Sequence, residues 1–242
     1  MTYTFDEIFL QIVYLACIAI PILLAITLHE AAHGFAALKL GDNTAYLLGR
    51  VTFNPLKHID LFGTILLPAI MFFLGGIIFG YAKPVPVNFR QLDNPRFGSV
   101  LVAAAGPLTN LILAIVSALL FKIIAFYFMP MTNGIYTDIL TQVISGLDFS
   151  VFFNILLAVF NMIPLPPLDG GRVAVGLLPS FLARPLASIE PYGFFILIFF
   201  IFLLPLISEQ ITGEPINIFS KIILPPVEAL HTYIENMVGL KF

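Results

Sequence analysis

Charge is what this sequence has least of. Only 10% of its 242 residues are Asp, Glu, Lys or Arg, while 60% are hydrophobic. A soluble domain carries about 25% charged residues, so this chain cannot hide its apolar surface in a water-bounded core. Its solvent is a bilayer, and a mean hydropathy of +1.02 agrees. Basic residues are also scarce: the net charge of −3 argues against a nucleic-acid partner. The single cysteine, Cys17, excludes an intrachain disulfide, and its ordinary role is that of a small lipid- or helix-facing residue. No polar stretch is long enough to fold by itself, and there is no internal repeat or low-complexity tract. Residues 1–242 therefore read as a single membrane domain. A cleaved signal peptide is not expected, because Asp6 and Glu7 stand where such a segment carries positive charge.

What the chain has instead is long apolar runs. Ile8 to Leu28 is free of charge and the helical pattern continues to about Leu38. This is longer than a ~30 Å hydrocarbon core requires, with Pro21 as a point of kinking. A turn-rich polar stretch follows, with strand-like alternation over Leu47 to Phe53. Leu61 to Phe79 is apolar but interrupted by Pro68 and Gly75-Gly76. "YAKPVPVNFRQLDNPRFG" alternates prolines and valines, which favours extended chain. Val100 to Phe128 and Phe149 to Ile163 read as spans joined by a polar loop holding Asp138 and Asp148, and Tyr192 to Ile207 as another. The tail "INIFSKIILPPVEALHTYIENMVGL" reads as one or two interfacial amphipathic helices split at Pro225-Pro226.

Lysine and arginine orient these runs. Lys39, Arg50 and Lys57 follow the first span, Lys83, Arg90 and Arg96 precede the next, and Arg172 and Arg184 follow "LDGG". The loop from Met129 to Asp148 and the turn from Glu209 to Glu214 have none. The positive segments are expected to share the cytoplasmic side, which requires Leu61 to Phe79 to enter and leave by one face as a re-entrant hairpin; a full crossing of the membrane by that run is the alternative. The fold class is thus an all-α polytopic membrane protein. Its three-span core covers about residues 8–172, with a re-entrant hairpin, and a further span and C-terminal interfacial helices cover 190–242.

Inside the first run stands "TLHEAAHGF", Thr27 to Phe35. Ionisable groups at membrane depth are expensive and mark function. Residues i and i+4 share a helix face, so His29 and His33 can hold one metal ion, and Glu30 can act on a water there as general base. A hydrogen-bonded histidine pair is the plainer alternative. A catalytic zinc takes a third protein ligand and keeps one open position. Asp169, in "PLPPLDGG", is the best candidate because the re-entrant topology brings it to the same face as the histidines; by local sequence alone an Asp before Gly170-Gly171 is more commonly a turn former. His58 reads as a loop or supporting residue, and His231 as a solvated one. Asn110 and Asn161 are donors at membrane depth, suited to a developing oxyanion or an extended peptide. Interhelical polar contact is the plainer role for both, and for Asn154.

"HEAAH" in an apolar helix, "AKPVPVN", "AAAGPLTN" and "FNMIPLPPLDGG", in this order over Ile22 to Arg172, resemble the site-2 protease family of intramembrane zinc metalloproteases. The resemblance implies one Zn²⁺ per chain, with His29, His33 and Asp169 as ligands and Glu30 as base. It also matches Asn161, Pro164 and Pro166 to the Asn-Pro-x-Pro segment ahead of the ligand Asp. It implies a transmembrane protein as substrate, hydrolysed in or near its span, and a prokaryotic cell membrane with the site toward the cytoplasm. No insertion here is long enough for a PDZ or CBS domain, and the span many members place before the motif helix is not expected. A membrane metal transporter or metal-binding protein would use the same ligands without proteolysis, and would string acids or histidines along a path through several spans.

Overall fold

Thr4 starts the first helix with a capping box: its hydroxyl accepts from Glu7 N–H, and Glu7 Oε2 accepts from Thr4 N–H at 2.8 Å. Such a cap is worth ~1 kcal/mol and fixes where the helix begins. In this computed structural model, which describes residues 4–66, 70 and 83–240, α1 (Phe5–Lys39) is one helix of 35 residues with Pro21 inside it. Its first half leaves Ile8, Ile12, Leu15 and Ile20 exposed, as lipid contact requires. Its second half buries Thr27, His29, Ala31, His33 and Ala37 against protein.

Two helices enclose that half. α2 (Pro95–Ile123) begins behind Asn94, whose side chain accepts from Phe97 N–H, with Pro95 in the first turn. The helical chain continues to Met131. α3 (Ile135–Asn161) starts well before Phe149, where the hydropathy pattern placed the span. The acids read as loop residues lie on its surface: Asp138 sits in the first turn, where the helix dipole favours a carboxylate, and Asp148 faces His231 at 3.7 Å. Gly146, Ser150, Asn154 and Ala158, four residues apart, form its buried stripe. A Cβ on Gly146 would stand 2.6 Å from Cys17 O, so α1 and α3 cross almost backbone to backbone and Cys17 faces a helix.

The strand-like alternation over Leu47 to Phe53 is not a strand. Thr44–Leu47 is a helical turn, Gly49 at φ +65° redirects the chain, and no strand forms among the described residues. The hairpin expected over Leu61 to Phe79 lies outside the described residues, apart from a wide helical turn at Leu61–Leu66 and residue 70. Its flanks are described: Lys83 N–H donates to His58 O at 2.9 Å. Asp93 N–H likewise donates to Leu40 O at 2.9 Å, and Arg96 donates to Gly176 O and Leu178 O at 2.8 and 2.7 Å. These bonds gather the basic segments on one side of the molecule.

After α3 come α4 (Asp169–Leu177), α5 (Ser180–Ser188) and α6 (Glu190–Thr212). Four helices among the described residues are long and apolar enough to cross a membrane: α1, α2 with its extension, α3 and α6. The protein is an integral, all-helical membrane protein. The tail differs from its expectation as a surface element. Pro225 and Pro226 open the helix α7 (Leu224–Val238) rather than divide it. Its Val227, Ile234 and Val238 pack on Ala114, Ala118, Phe121, Val151 and Ile155 of α2 and α3. Lys122 Nζ donates to Val238 O at 2.7 Å and satisfies the helix end.

Candidate metal centre

His29 and His33 point from the buried half of α1 to one spot, with their Nε2 atoms 3.1 Å apart. Asp169 arrives there as the first residue of α4. Its Oδ2 lies 3.2 Å from His29 Nε2 and 3.4 Å from His33 Nε2. The turn after α3 delivers it by folding back tightly, because Gly170 is pressed on the Met162 carbonyl and Gly171 on the Pro166 backbone, where no Cβ fits. Turn former and site residue are one role here, since the glycine pair that makes the turn also sets Asp169 against the histidines.

The hydrogen bonds on the far side of each ring settle which nitrogen carries the proton. Val102 O can only accept, so His33 donates from Nδ1 at 2.7 Å. Asn110 Nδ2 donates to Ala25 O at 3.2 Å and to Asn154 Oδ1 at 2.9 Å. Its Oδ1 therefore faces His29 Nδ1, which donates at 2.6 Å. Both Nε2 atoms are left with lone pairs directed at each other and at a carboxylate. Asp169 Oδ2 is buried and accepts no hydrogen bond.

Three electron-pair donors converging without a proton between them form a group that could hold a cation. Bonds of ~2.0–2.1 Å to a tetrahedral zinc imply ligand separations of about 3.3–3.4 Å, close to the 3.1, 3.2 and 3.4 Å found. Gly106 leaves the space: a Cβ there would stand 2.5 Å from His33 Nε2 and 2.6 Å from His29 Nε2. Two imidazoles and a carboxylate are a ligand set of the kind catalytic zinc sites use.

Glu30 lies beside the three, and its Oε2 accepts from Val85 N–H at 2.9 Å, within the extended chain after Lys83. Asn110 is fully buried with both N–H groups committed, so it is not free for an oxyanion. It orients His29 instead, as a histidine ligand's second nitrogen requires. That requirement is the signal by which sequence reasoning could have found it; Val102 O and Gly106 left no such signal. Asn161 donates to Leu157 O at 3.0 Å in its own helix, away from the cluster. Pro166 is buried within the turn and Pro164 is exposed. His58 is buried, with Nε2 on Thr52 O at 3.0 Å, and stays outside the cluster. His231 is partly exposed and stands between Asp148 and Glu235, the other convergence of potential ligands among the described residues.

Comparison with known proteins follows the same lines. Residues 17–204 match the model of Peptidase family M50. YwhC of Bacillus subtilis strain 168, by its name a candidate zinc metalloprotease, is 40% identical over 183 residues, covering 74% of this chain and 77% of that protein. Rip2 of Mycolicibacterium smegmatis, named likewise, is 30% identical over 178 residues, 73% of this chain and 62% of its own length. Rip2 of Mycobacterium tuberculosis H37Rv is 28% identical over 180 residues, 74% of this chain and 64% of its length. The chain thus spans less than two thirds of these two Rip2 proteins. No solved structure matches it.

Proposed function

The chain belongs to peptidase family M50, and from that premise we propose that it is an intramembrane zinc endopeptidase, cutting peptide bonds in or near the transmembrane segments of other proteins. The observation that carries the reading is the convergence of His29 Nε2, His33 Nε2 and Asp169 Oδ2 inside a membrane bundle. One Zn²⁺ per chain would be held by these three residues, and when bound it supplies Lewis-acid polarisation of the scissile carbonyl and acidifies water. Asn110 and the Val102 carbonyl keep both imidazoles in the ligating tautomer. Glu30, held by Val85 N–H, takes a proton from the attacking water and gives it to the leaving amine.

A helical substrate offers no free carbonyl, so its span must unwind locally. The extended chain 83–88 and the turn holding Pro164 and Pro166 are where an unwound strand would be held by edge pairing. The gathered basic segments support a cytoplasmic placing of the site by the positive-inside rule. A transporter would need charged groups along a path; the polar residues running inward from His29 are Asn110, Asn154, Ser150 and Ser117, all neutral.

Glu30→Gln is the test. It is expected to keep zinc at one per chain while cleavage of a single-span substrate falls roughly 10²–10⁴-fold, the usual contribution of a general base. Undiminished cleavage by that variant overturns the assignment.

A further inference from the structure

Two arginines share one cleft on the basic side of the molecule, away from the metal centre. The cleft, of about 270 Å³, lies between the start of α2, the end of α4 and α5; Arg96, Ser99, Ser180, Ala183, Arg184 and Ala187 line it, and no acid does. Neither guanidinium has a carboxylate partner among the described residues. Like charges drawn into one concavity repel, and an anion between them reverses the sign of that contribution.

The cleft suits one kind of anion. Arg96 is fixed, since its Nε and Nη2 donate to Gly176 O and Leu178 O, leaving Nη1 for a ligand. Arg184 is exposed and can turn toward the same point. Ser180 opens α5 behind Pro179, which offers no side-chain cap, so a hydroxyl and uncapped N–H groups stand beside the arginines. Fixed and mobile guanidinium, hydroxyl and backbone N–H together are the donors a tetrahedral oxyanion takes.

The level of the cleft says where that anion comes from. Arg96 is the second residue of one span, Pro95–Met131, and Arg184 lies just ahead of another, Glu190–Thr212. Both therefore stand at the polar end of a spanning helix. On α5, Phe181 is 73% exposed and Leu182 46%, giving an acyl chain an apolar flank beside the charges. We propose that this cleft binds a phosphate group, that of an anionic phospholipid headgroup or of a soluble phosphate ester reaching the same donors. Basic pockets between spans hold headgroups in this way.

The test uses the full chain in nanodiscs of phosphatidylglycerol and phosphatidylcholine. Phospholipid retained by the protein is counted by native mass spectrometry, and zinc content verifies that the metal centre is intact. Wild type is expected to retain phosphatidylglycerol in preference; Arg184→Gln should lower that retention about fivefold, the worth of one basic charge at a membrane surface. Arg184→Lys should restore part of it. A second arm titrates inorganic phosphate onto the protein in phosphatidylcholine discs alone: binding that is lost with Arg184→Gln supports the site with a soluble source. Equal retention of both lipids without phosphate binding, or an Arg184→Gln variant indistinguishable from wild type in both arms, overturns the proposal.

Discussion

His29 Nδ1 donates to Asn110 Oδ1 at 2.6 Å, and that bond ties the metal centre to a polar ladder across three helices: Asn110 to Asn154, Asn154 to Ser150, Ser150 to Ser117. Interhelical polar bonds in membranes average about 0.6 kcal/mol, too little for the ladder to hold the bundle together. Its value is directional: it fixes the Asn110 amide, and the amide fixes the His29 tautomer. Asn110→Ala is therefore expected to weaken zinc binding roughly 10–100-fold, as loss of such supporting bonds does, with helix content unchanged. Competition titration against a chelator reads the affinity and circular dichroism the fold. Wild-type affinity in this variant would detach the ladder from the centre.

Gly106 faces the same spot from α2. A Cβ there would come within 2.6 Å of atoms on both rings, closer than non-bonded atoms approach, and would occupy space a shared ion needs. Gly106→Ala should remove zinc from the protein while the spans stay helical. Gly98→Ala on the same helix, whose Cβ would meet only the Leu92 side chain at 3.1 Å, serves as the control that keeps the metal.

The histidine pair was legible because helix period alone puts positions 29 and 33 on one face. Asp169 was reachable through charge: placing Lys39, Lys83 and Arg172 on one side carried the acid to the histidines' end, and the Lys83–His58 and Arg96–Gly176 bonds bring those segments together. The start of α3 was hidden because Asp138 and Asp148 resemble loop residues in a hydropathy profile, whereas a helix continues past the hydrocarbon when its acids find a helix dipole or a histidine. The burial of α7 was hidden too. An apolar stripe of Val227, Ile234 and Val238 suits a lipid surface and a neighbouring helix equally. Asn110, Val102 and Gly106 act through directions in space that no one-dimensional spacing encodes.

Asp42 provides a pH test outside the spans. Its buried side chain accepts from Thr44 N–H and O–H and from Asn88 N–H. Burial pushes its carboxyl up, and these bonds outweigh it and hold it below the usual carboxylate range. The unfolded chain, with an Asp pKa near 3.9, therefore binds the proton first as pH falls. The stabilisation is full above about pH 4 and is lost as pH falls through the lower folded value. Asp42→Asn should cost roughly 2–3 kcal/mol at pH 7, since an amide N–H then meets backbone donors, and the gap to wild type should narrow in acid. Melting curves in detergent from pH 7 downward give that difference directly; a gap that widens in acid contradicts it.

The same Asp42 anchors the chain that holds the base. Through Asn88 N–H it fixes the extended segment in which Val85 N–H reaches Glu30 Oε2. Val85→Pro removes that donor while its prolyl neighbours, Pro84 and Pro86, already commit the chain to extended geometry. A hydrogen bond to a charged group is worth about 1.5–3 kcal/mol, so catalysis should fall roughly 10–100-fold, chiefly in kcat, with zinc retained. Val85→Ala keeps the N–H and loses only packing beside Gly34, so it should stay near wild type in kcat. If the two variants fall together, side-chain packing rather than the backbone donor positions Glu30; if neither falls, the orientation of Glu30 comes from elsewhere in the site.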